Sequence, residues 1–358
     1  MKRNSYIIIV AILVFALLTL GIIFANIDNE KTKDSVKSSN YTNYTYEIVV
    51  ENLDTPWAIG FLPDGRMIFN ERRGKVSILD AGNVEAVGNI QVSEISESGL
   101  LGIAVDPKFS INYFVYLYYT SSSGFNRVSQ FVFDEKTGLK NEVVLLDNIP
   151  SAKFHDGGRI KFGPDGELYI TTGDATEPSS AQDINSLAGK ILRMNKDGSI
   201  PSDNPFGNYV YSYGHRNPQG IDWDKKGNMF AVEHGPTSND EINIIEKGKN
   251  YGWPIKCSDQ SGIDNVLPLR CYESFTLAPS AIAVVGDNLY VTGLRGEQLR
   301  KIVIDENNNI VSEEVLIDDL GRLRDVVKQD GYLYIATSNR DGRGIPKVGD
   351  DKILRVKL

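Results

Sequence analysis

The chain reads as an all-β protein, a six-bladed β-propeller with four-stranded blades, preceded by an N-terminal transmembrane or signal helix. Three observations carry that prediction. Six times, a turn of the Asp-Gly or Asn kind opens onto a short alternating strand rich in Tyr, Phe, Ile and Val. The copies recur at roughly 40 to 60 residues, the period of a four-stranded blade. The composition agrees: 33 glycines, 17 tyrosines and 14 phenylalanines, without long apolar stripes at helical spacing, favour short strands and tight turns. Very little helix is expected.

Residues 1–27 are the first element. Lys2 and Arg3 precede an uncharged apolar run from Tyr6 to Ile27, long enough for a membrane span of about 20 residues. Small residues at a cleavage site are poorly represented around Ala25, so an uncleaved anchor is preferred to a removed signal peptide, with Lys2 and Arg3 holding the N-terminus inside. Either outcome places the remainder of the chain outside the cytoplasm. Residues 28–45, rich in Lys, Ser, Asn and Thr, follow as a flexible tether with glycosylation sequons at Asn40 and Asn43.

Residues 46–358 hold the repeats. The turn-and-strand copies are Pro63–Gly65 before Arg66–Asn70, the Asn-turn version within Asp106–Thr120, Pro164–Gly166 before Leu168–Thr172, and Lys226–Asn228 before Met229–Val232. Gly286–Asn288 before Leu289–Thr292 and Asp330–Gly331 before Tyr332–Thr337 complete the six. A propeller displays functional residues in the connections around its channel. Those connections are unusual here: Gly99–Gly102, the segment around His155, Gly214–Gly220, Gly293–Gly296 and Gly321–Asp325. The net charge of −9, with no basic block, excludes the electrostatic footprint of a nucleic-acid binder.

His155 is one of only three histidines. Beside a glycine-loosened turn it is a candidate general base, because imidazole titrates nearest to neutral pH; the alternative is a satisfied structural histidine. Arg216, Arg295, Arg322 and Arg324 all fall in rim connections. Like charges so gathered ask for an anion, and guanidinium forks suit carboxylates, so a small polyanionic ligand is expected. The stretch from Glu233 to Asn243, with Asn250–Pro254 after it, is rich in hard oxygen donors and suits calcium better than zinc, unless it is an ordinary acidic turn. Cys257 and Cys271 are the only cysteines. In an exported chain they are expected to form a disulfide, with a pair of buried free thiols as the alternative.

Four stretches, FHDGGRIKFGPDGELYITTGD, YGHRNPQGIDW, EHGPTSNDEINIIEKGKNYGWP and GRLRDV, together resemble the soluble quinoprotein aldose sugar dehydrogenases of the glucose/sorbosone dehydrogenase family. The resemblance runs from about Val50 to Leu358, and the ordered combination is more specific than any one motif. It implies a six-bladed propeller that holds pyrroloquinoline quinone (PQQ) and calcium and oxidises the anomeric hydroxyl of aldoses to lactones. By position, His155 matches the general base and Asp174 the carboxylate that supports it. Arg216 and Asn217 match residues at the quinone carbonyls, where Arg216 would stabilise developing negative charge, and Arg322 and Arg324 match ligands of the cofactor carboxylates; Arg295 and Asp240 are assigned to cofactor binding with them. Gly235 and Pro236 match the backbone carbonyls that bind calcium, with Asp240 close behind, while Glu241 and Tyr251 resemble a second, structural calcium site.

The chain departs from the family at several points. Arg295 stands where lysine is usual, Glu97 where glutamine is common, and Phe154 in place of an acidic neighbour of the base. Glu273–Ser280 lacks a tryptophan that some relatives turn toward the substrate. These changes bear on sugar preference more than on the cofactor. The expected partners are an aldose, an unidentified electron acceptor and, through the N-terminal segment, a membrane. The other readings of the same fold are a calcium-dependent lactonase and a non-catalytic extracellular binding propeller.

Overall fold

The structure is a computed structural model and describes residues 44–259 and 264–358. The anchor or signal segment at 1–27, most of the tether and both sequon asparagines lie outside the described residues. Among the described residues no helix is long and apolar enough to cross a membrane. Helix there is confined to the four-residue turn Phe109–Asn112 and two short 3-10 turns, Pro178–Gln182 and Cys257–Asp259.

Six four-stranded antiparallel sheets form a ring. Blade 1 is Pro56–Phe61, Met67–Glu71, Lys75–Asp80 and Asn83–Asn89; blade 2 is Leu100–Val105, Phe114–Thr120, Asn126–Asp134 and Gly138–Ile149. Blade 3 is Ile160–Phe162, Leu168–Thr172, Lys190–Met194 and Val210–Tyr213; blade 4 is Pro218–Trp223, Met229–Glu233, Asp240–Ile245 and Arg270–Tyr272. Blade 5 is Pro279–Val285, Asn288–Gly293, Gln298–Ile304 and Ile310–Ile317. Blade 6 takes Leu323–Gln329, Tyr332–Thr337 and Ile353–Lys357 from the end of the chain and its outer strand, Tyr46–Val50, from the beginning. Tyr46 pairs with Val356 and Ile48 with Leu354, which closes the ring.

Each of the six turn-and-strand copies is the hairpin between the first and second strands of one blade. The reason is local. The Asp-Gly turns need a left-handed residue, as at Gly65, Gly166 and Gly331 with φ of 90°, 84° and 79°, and glycine adopts it without a Cβ clash. The second strands lose the simple alternation of half-buried strands because neighbouring blades cover both faces. Leu168–Thr172 and Met229–Glu233 are buried throughout, whereas the outer strand Asn83–Asn89 is mostly exposed. The apolar core accordingly lies between blades: Tyr116, Tyr118, Ile170 and Leu192 share one cluster, and Phe230, Ile282, Leu289 and Val291 another.

All first-to-second-strand hairpins fall at one mouth of the channel. The connections that enter each blade, and those between second and third strands, fall at the other. Between the mouths Trp57 packs against Arg159 and Arg324, whose guanidinium carbons stand 4.5 and 5.4 Å from its ring.

Candidate functional site

The second mouth contains a polar cavity of about 530 Å³, within the size range of small-molecule sites. His155 reaches it from the connection entering blade 3, and Arg216 from the connection entering blade 4. Gly235 and Pro236 come from the second-to-third-strand turn of blade 4, Arg295 from the corresponding turn of blade 5, and Arg322 from the entry to blade 6.

His155 is built into place by backbone geometry. Its φ is 66°, and a Cβ added to Gly173 would stand 1.8 Å from its carbonyl oxygen, so only glycine at 173 allows the two connections to touch. Its Nδ1 lies 2.7 Å from Asp174 Oδ1. Asp174 is fully buried; its Oδ2 accepts Trp253 Nε1–H at 2.8 Å and its Oδ1 also accepts the Thr176 N–H at 2.9 Å. With Nδ1 committed to the carboxylate, Nε2 is the ring nitrogen left for the cavity.

Behind this pair lie buried donors with no partner: Arg216 Nε, Asn217 Nδ2 and Arg324 Nε. The buried His234 Nε2 also lacks one. Unpaired buried polar atoms are uncommon, and the two on Arg216 and His234, which line the cavity, mark a seat for a polar ligand. Arg216 donates from NH1 to the carbonyls of His234 and Gly235, at 3.1 and 2.7 Å, and lies over Trp253 at 5.3 Å. Burial pushes its pKa down, opposed by Asp174 and Glu97. Arg324 sits inside the channel, where NH1 donates to Gln219 Oε1 at 2.7 Å. Burial pushes it down to about 9, with Asp341 opposing and Arg322 reinforcing the shift, so it stays a cation at neutral pH with no carboxylate bonded to it.

The other expected residues are placed differently. Arg322 lines the cavity, yet it already has a carboxylate: Asp341 Oδ2 lies 2.8 Å from its NH2. Arg295 is exposed at the rim, with no hydrogen-bond or ion-pair partner among the described residues. Asp240 is an organiser of loops. Its Oδ1 accepts Gly235 N–H at 2.8 Å, and its Oδ2 accepts those of Leu277 and Ala278 at 2.7 and 2.8 Å, joining the blade 4 turn to the entry of blade 5. Burial raises its pKa against those three bonds.

Glu241 and Tyr251 do not line this cavity. Glu241 borders a small hollow behind Gly235 and Pro236 and shares the Asn243 amide with Glu233. Burial, together with the neighbouring carboxylate Glu233, holds it well above the usual carboxylate range. The Tyr251 ring stacks on His215 at 4.7 Å, and its hydroxyl donates to the Ile244 carbonyl at 2.7 Å. Among the described residues no three His, Cys, Asp or Glu side chains are grouped as a metal site. Cys257 and Cys271 form a disulfide, as expected, and it ties the long connection 246–269 of blade 4 to its outer strand. That connection returns to the cavity mouth and delivers Trp253.

Three residues at the mouth escaped the sequence reading. Trp253 and His234 stood in quoted motifs without a role, although an indole in a Gly-Trp-Pro turn was a visible signal. Arg343, from the second-to-third-strand connection of blade 6, had no motif to mark it. Its NH1 lies 3.0 Å from Glu97 Oε1.

An aspartate-held imidazole and the under-bonded Arg216 guanidinium on one polar cavity define a propeller with a candidate ligand site at the channel mouth. The sequence matches the glucose/sorbosone dehydrogenase family over residues 53–347, and the chain belongs to that family. It is 30% identical to the aldose sugar dehydrogenase of Escherichia coli K12, over 83% of this chain and 90% of that protein. It is 35% identical to quinoprotein glucose dehydrogenase B of Acinetobacter calcoaceticus, over 59% of this chain and 52% of that one. The PQQ-bound aldose sugar dehydrogenase of Streptomyces coelicolor superposes with a TM-score of 0.83 at 38% identity, covering 87% of this chain and 98% of that one.

Proposed function

We propose that this chain is a quinoprotein dehydrogenase that oxidises the anomeric hydroxyl of aldose sugars to the lactone, with PQQ as the hydride acceptor and calcium beside it. The observation that carries the reading is an Asp174-held His155 on one cavity with Arg216, whose Nε is buried and unpaired, as are Asn217 Nδ2 and Arg324 Nε. A tricarboxylate supplies acceptors for such donors, and Arg295 has a free guanidinium for another. Charge balance supports a cation as well. Arg216, Arg295, Arg322 and Arg343 line the cavity with Glu97, Asp240 and Glu297. Four cations facing three carboxylates do not balance a tricarboxylate, so a divalent ion would offset the excess negative charge. Gly235 and Pro236 would hold that ion through backbone carbonyls, the Gly235 carbonyl giving up its bond from Arg216 NH1, and Glu241, with Tyr251, is assigned to a second, structural one.

PQQ, when bound, supplies the two-electron acceptor that the protein lacks. The chain's own residues do the rest. Asp174 fixes the imidazole with its proton on Nδ1, so Nε2 accepts the proton from the sugar C1 hydroxyl as the C1–H bond gives up its hydride. The product is the lactone, and the imidazolium formed is stabilised by the buried Asp174 carboxylate. Arg216 adds positive charge where negative charge develops. Residues 1–27 are proposed as anchor or signal and 28–45 as tether, placing the enzyme outside the cytoplasm, where an oxidised disulfide persists.

The test is dye-linked oxidation of a panel of aldoses by the purified protein, with and without added PQQ and calcium, beside His155→Ala. Activity should require both additions and fall by about 10²- to 10⁴-fold in the variant, the usual contribution of a positioned base. No activity on any aldose, with no uptake of PQQ by absorbance titration, would leave a binding propeller.

A further inference from the structure

His155 has a left-handed backbone, which residues with a Cβ hold only where their surroundings fix it. Glu97, in the connection entering blade 2, supplies that fixing. Its Oε2 accepts the His155 N–H at 3.0 Å, and its own N–H donates to the Lys153 carbonyl at 3.3 Å. The other carboxylate oxygen is also committed, since Oε1 takes Arg343 NH1 at 3.0 Å. Arg343 comes from blade 6, past blade 1, and its guanidinium carbon stands 5.2 Å from the centre of the Phe154 ring, next to His155. Burial alone would raise the Glu97 pKa; the His234 ring, the His155 N–H and Arg343 outweigh it and hold the carboxyl below its usual range.

We propose that Glu97 and Arg343 are positioning residues for His155: the carboxylate pins the histidine backbone, and the guanidinium, reaching across the cavity mouth, pins the carboxylate. Each Glu97 oxygen is engaged in this device. Its charge supports the base through geometry. Phe154 fits the same device, because its ring carries Arg343 above it where an acidic side chain would compete with Glu97 for the guanidinium. The activity arm of the test rests on the dehydrogenase reading; the structural arm does not.

Amide hydrogen exchange at His155, followed in ¹⁵N-labelled protein without cofactor, reads the device directly. Loss of a hydrogen bond to a charged group corresponds to roughly ten- to hundredfold faster exchange. Glu97→Gln and Arg343→Ala should each accelerate the His155 amide by about tenfold or more, with exchange in the inner strands and the melting temperature unchanged. Arg343→Lys should restore part of the protection, and the double variant should match Glu97→Gln alone. In the loaded enzyme, kcat should fall while KM holds. Unchanged His155 exchange in Arg343→Ala overturns the proposal. So does a change in KM alone for every aldose tried, which would make Glu97 a sugar ligand. A response in exchange from a protein inactive on all aldoses would support the positioning device and remove the dehydrogenase reading.

Discussion

Asp156, next to His155, shows how burial is used at single-residue scale. Its Oδ1 accepts the Ser151 hydroxyl at 2.7 Å, the Asn126 amide at 3.1 Å and the Ala152 N–H at 3.2 Å, while the buried Oδ2 has no partner. Burial lifts its pKa to about 6, against those bonds and with Glu97 adding to the rise. Between its ordinary value and about 6 the folded chain therefore holds a proton that the unfolded chain has released. Stability from this group is complete at low pH and is lost as pH rises through 6, by about 3 kcal/mol in all. Asn in its place mimics the protonated acid. Asp156→Asn should be more stable than the parent at pH 8, and the gain should vanish by pH 4. Urea unfolding at the two pH values measures this, and a difference that does not change with pH would refute it.

At the scale of elements, the site is an agreement among connections, and Asp240 is where two of them meet. It starts the third strand of blade 4 and takes three backbone N–H groups, from Gly235 in its own turn and from Leu277 and Ala278 at the entry to blade 5. Asp240→Ala should leave these N–H groups, that of Leu277 fully buried, without their acceptor and destabilise the protein by about 3 kcal/mol. On the proposed function it should also weaken PQQ binding, because Gly235 and Arg216 lean on the same turn; absorbance titration and thermal melting read the two effects, and an unaltered melting temperature would count against it. This scale also marks what the sequence could reveal. The inner hairpins were legible because an Asp-Gly turn and the strand after it are local chemistry. His155 and Asp174 were legible as a pair through the family resemblance, which sets them in one quoted stretch. Trp253 on Asp174 and Arg343 on Glu97 span 79 and 246 residues, and nothing local announces such contacts. Arg322 was expected as a free cation, since the Asp341 that neutralises it belongs to a different connection of its blade. The outer strands, exposed and weakly patterned, could only be inferred from the need to complete each blade.

The whole molecule depends on one seam. Blade 6 carries Arg322, Arg324 and Arg343, yet it borrows its outer strand, Tyr46–Val50, from the far end of the chain. The ladder onto Ile353–Lys357 is short, and the backbone bonds from Asn52 to the Gly349 carbonyl and from Leu53 to that of Asp351 extend it inward. The Glu47–Arg355 ion pair at 2.7 Å is exposed and contributes little. What the seam supplies is closure: without it the edge of Ile353–Lys357 is unpaired and offers itself to other chains. Deleting residues 46–50 removes several backbone bonds and the partial burial of Val49 and Val50, which sums to roughly 3–5 kcal/mol. The shortened protein should melt lower, associate in a concentration-dependent way by light scattering and, on the proposed function, bind PQQ more weakly because the arginines of blade 6 lose their support. If instead it stays monomeric with the parent's melting temperature, packing between the blades alone is sufficient to close the ring.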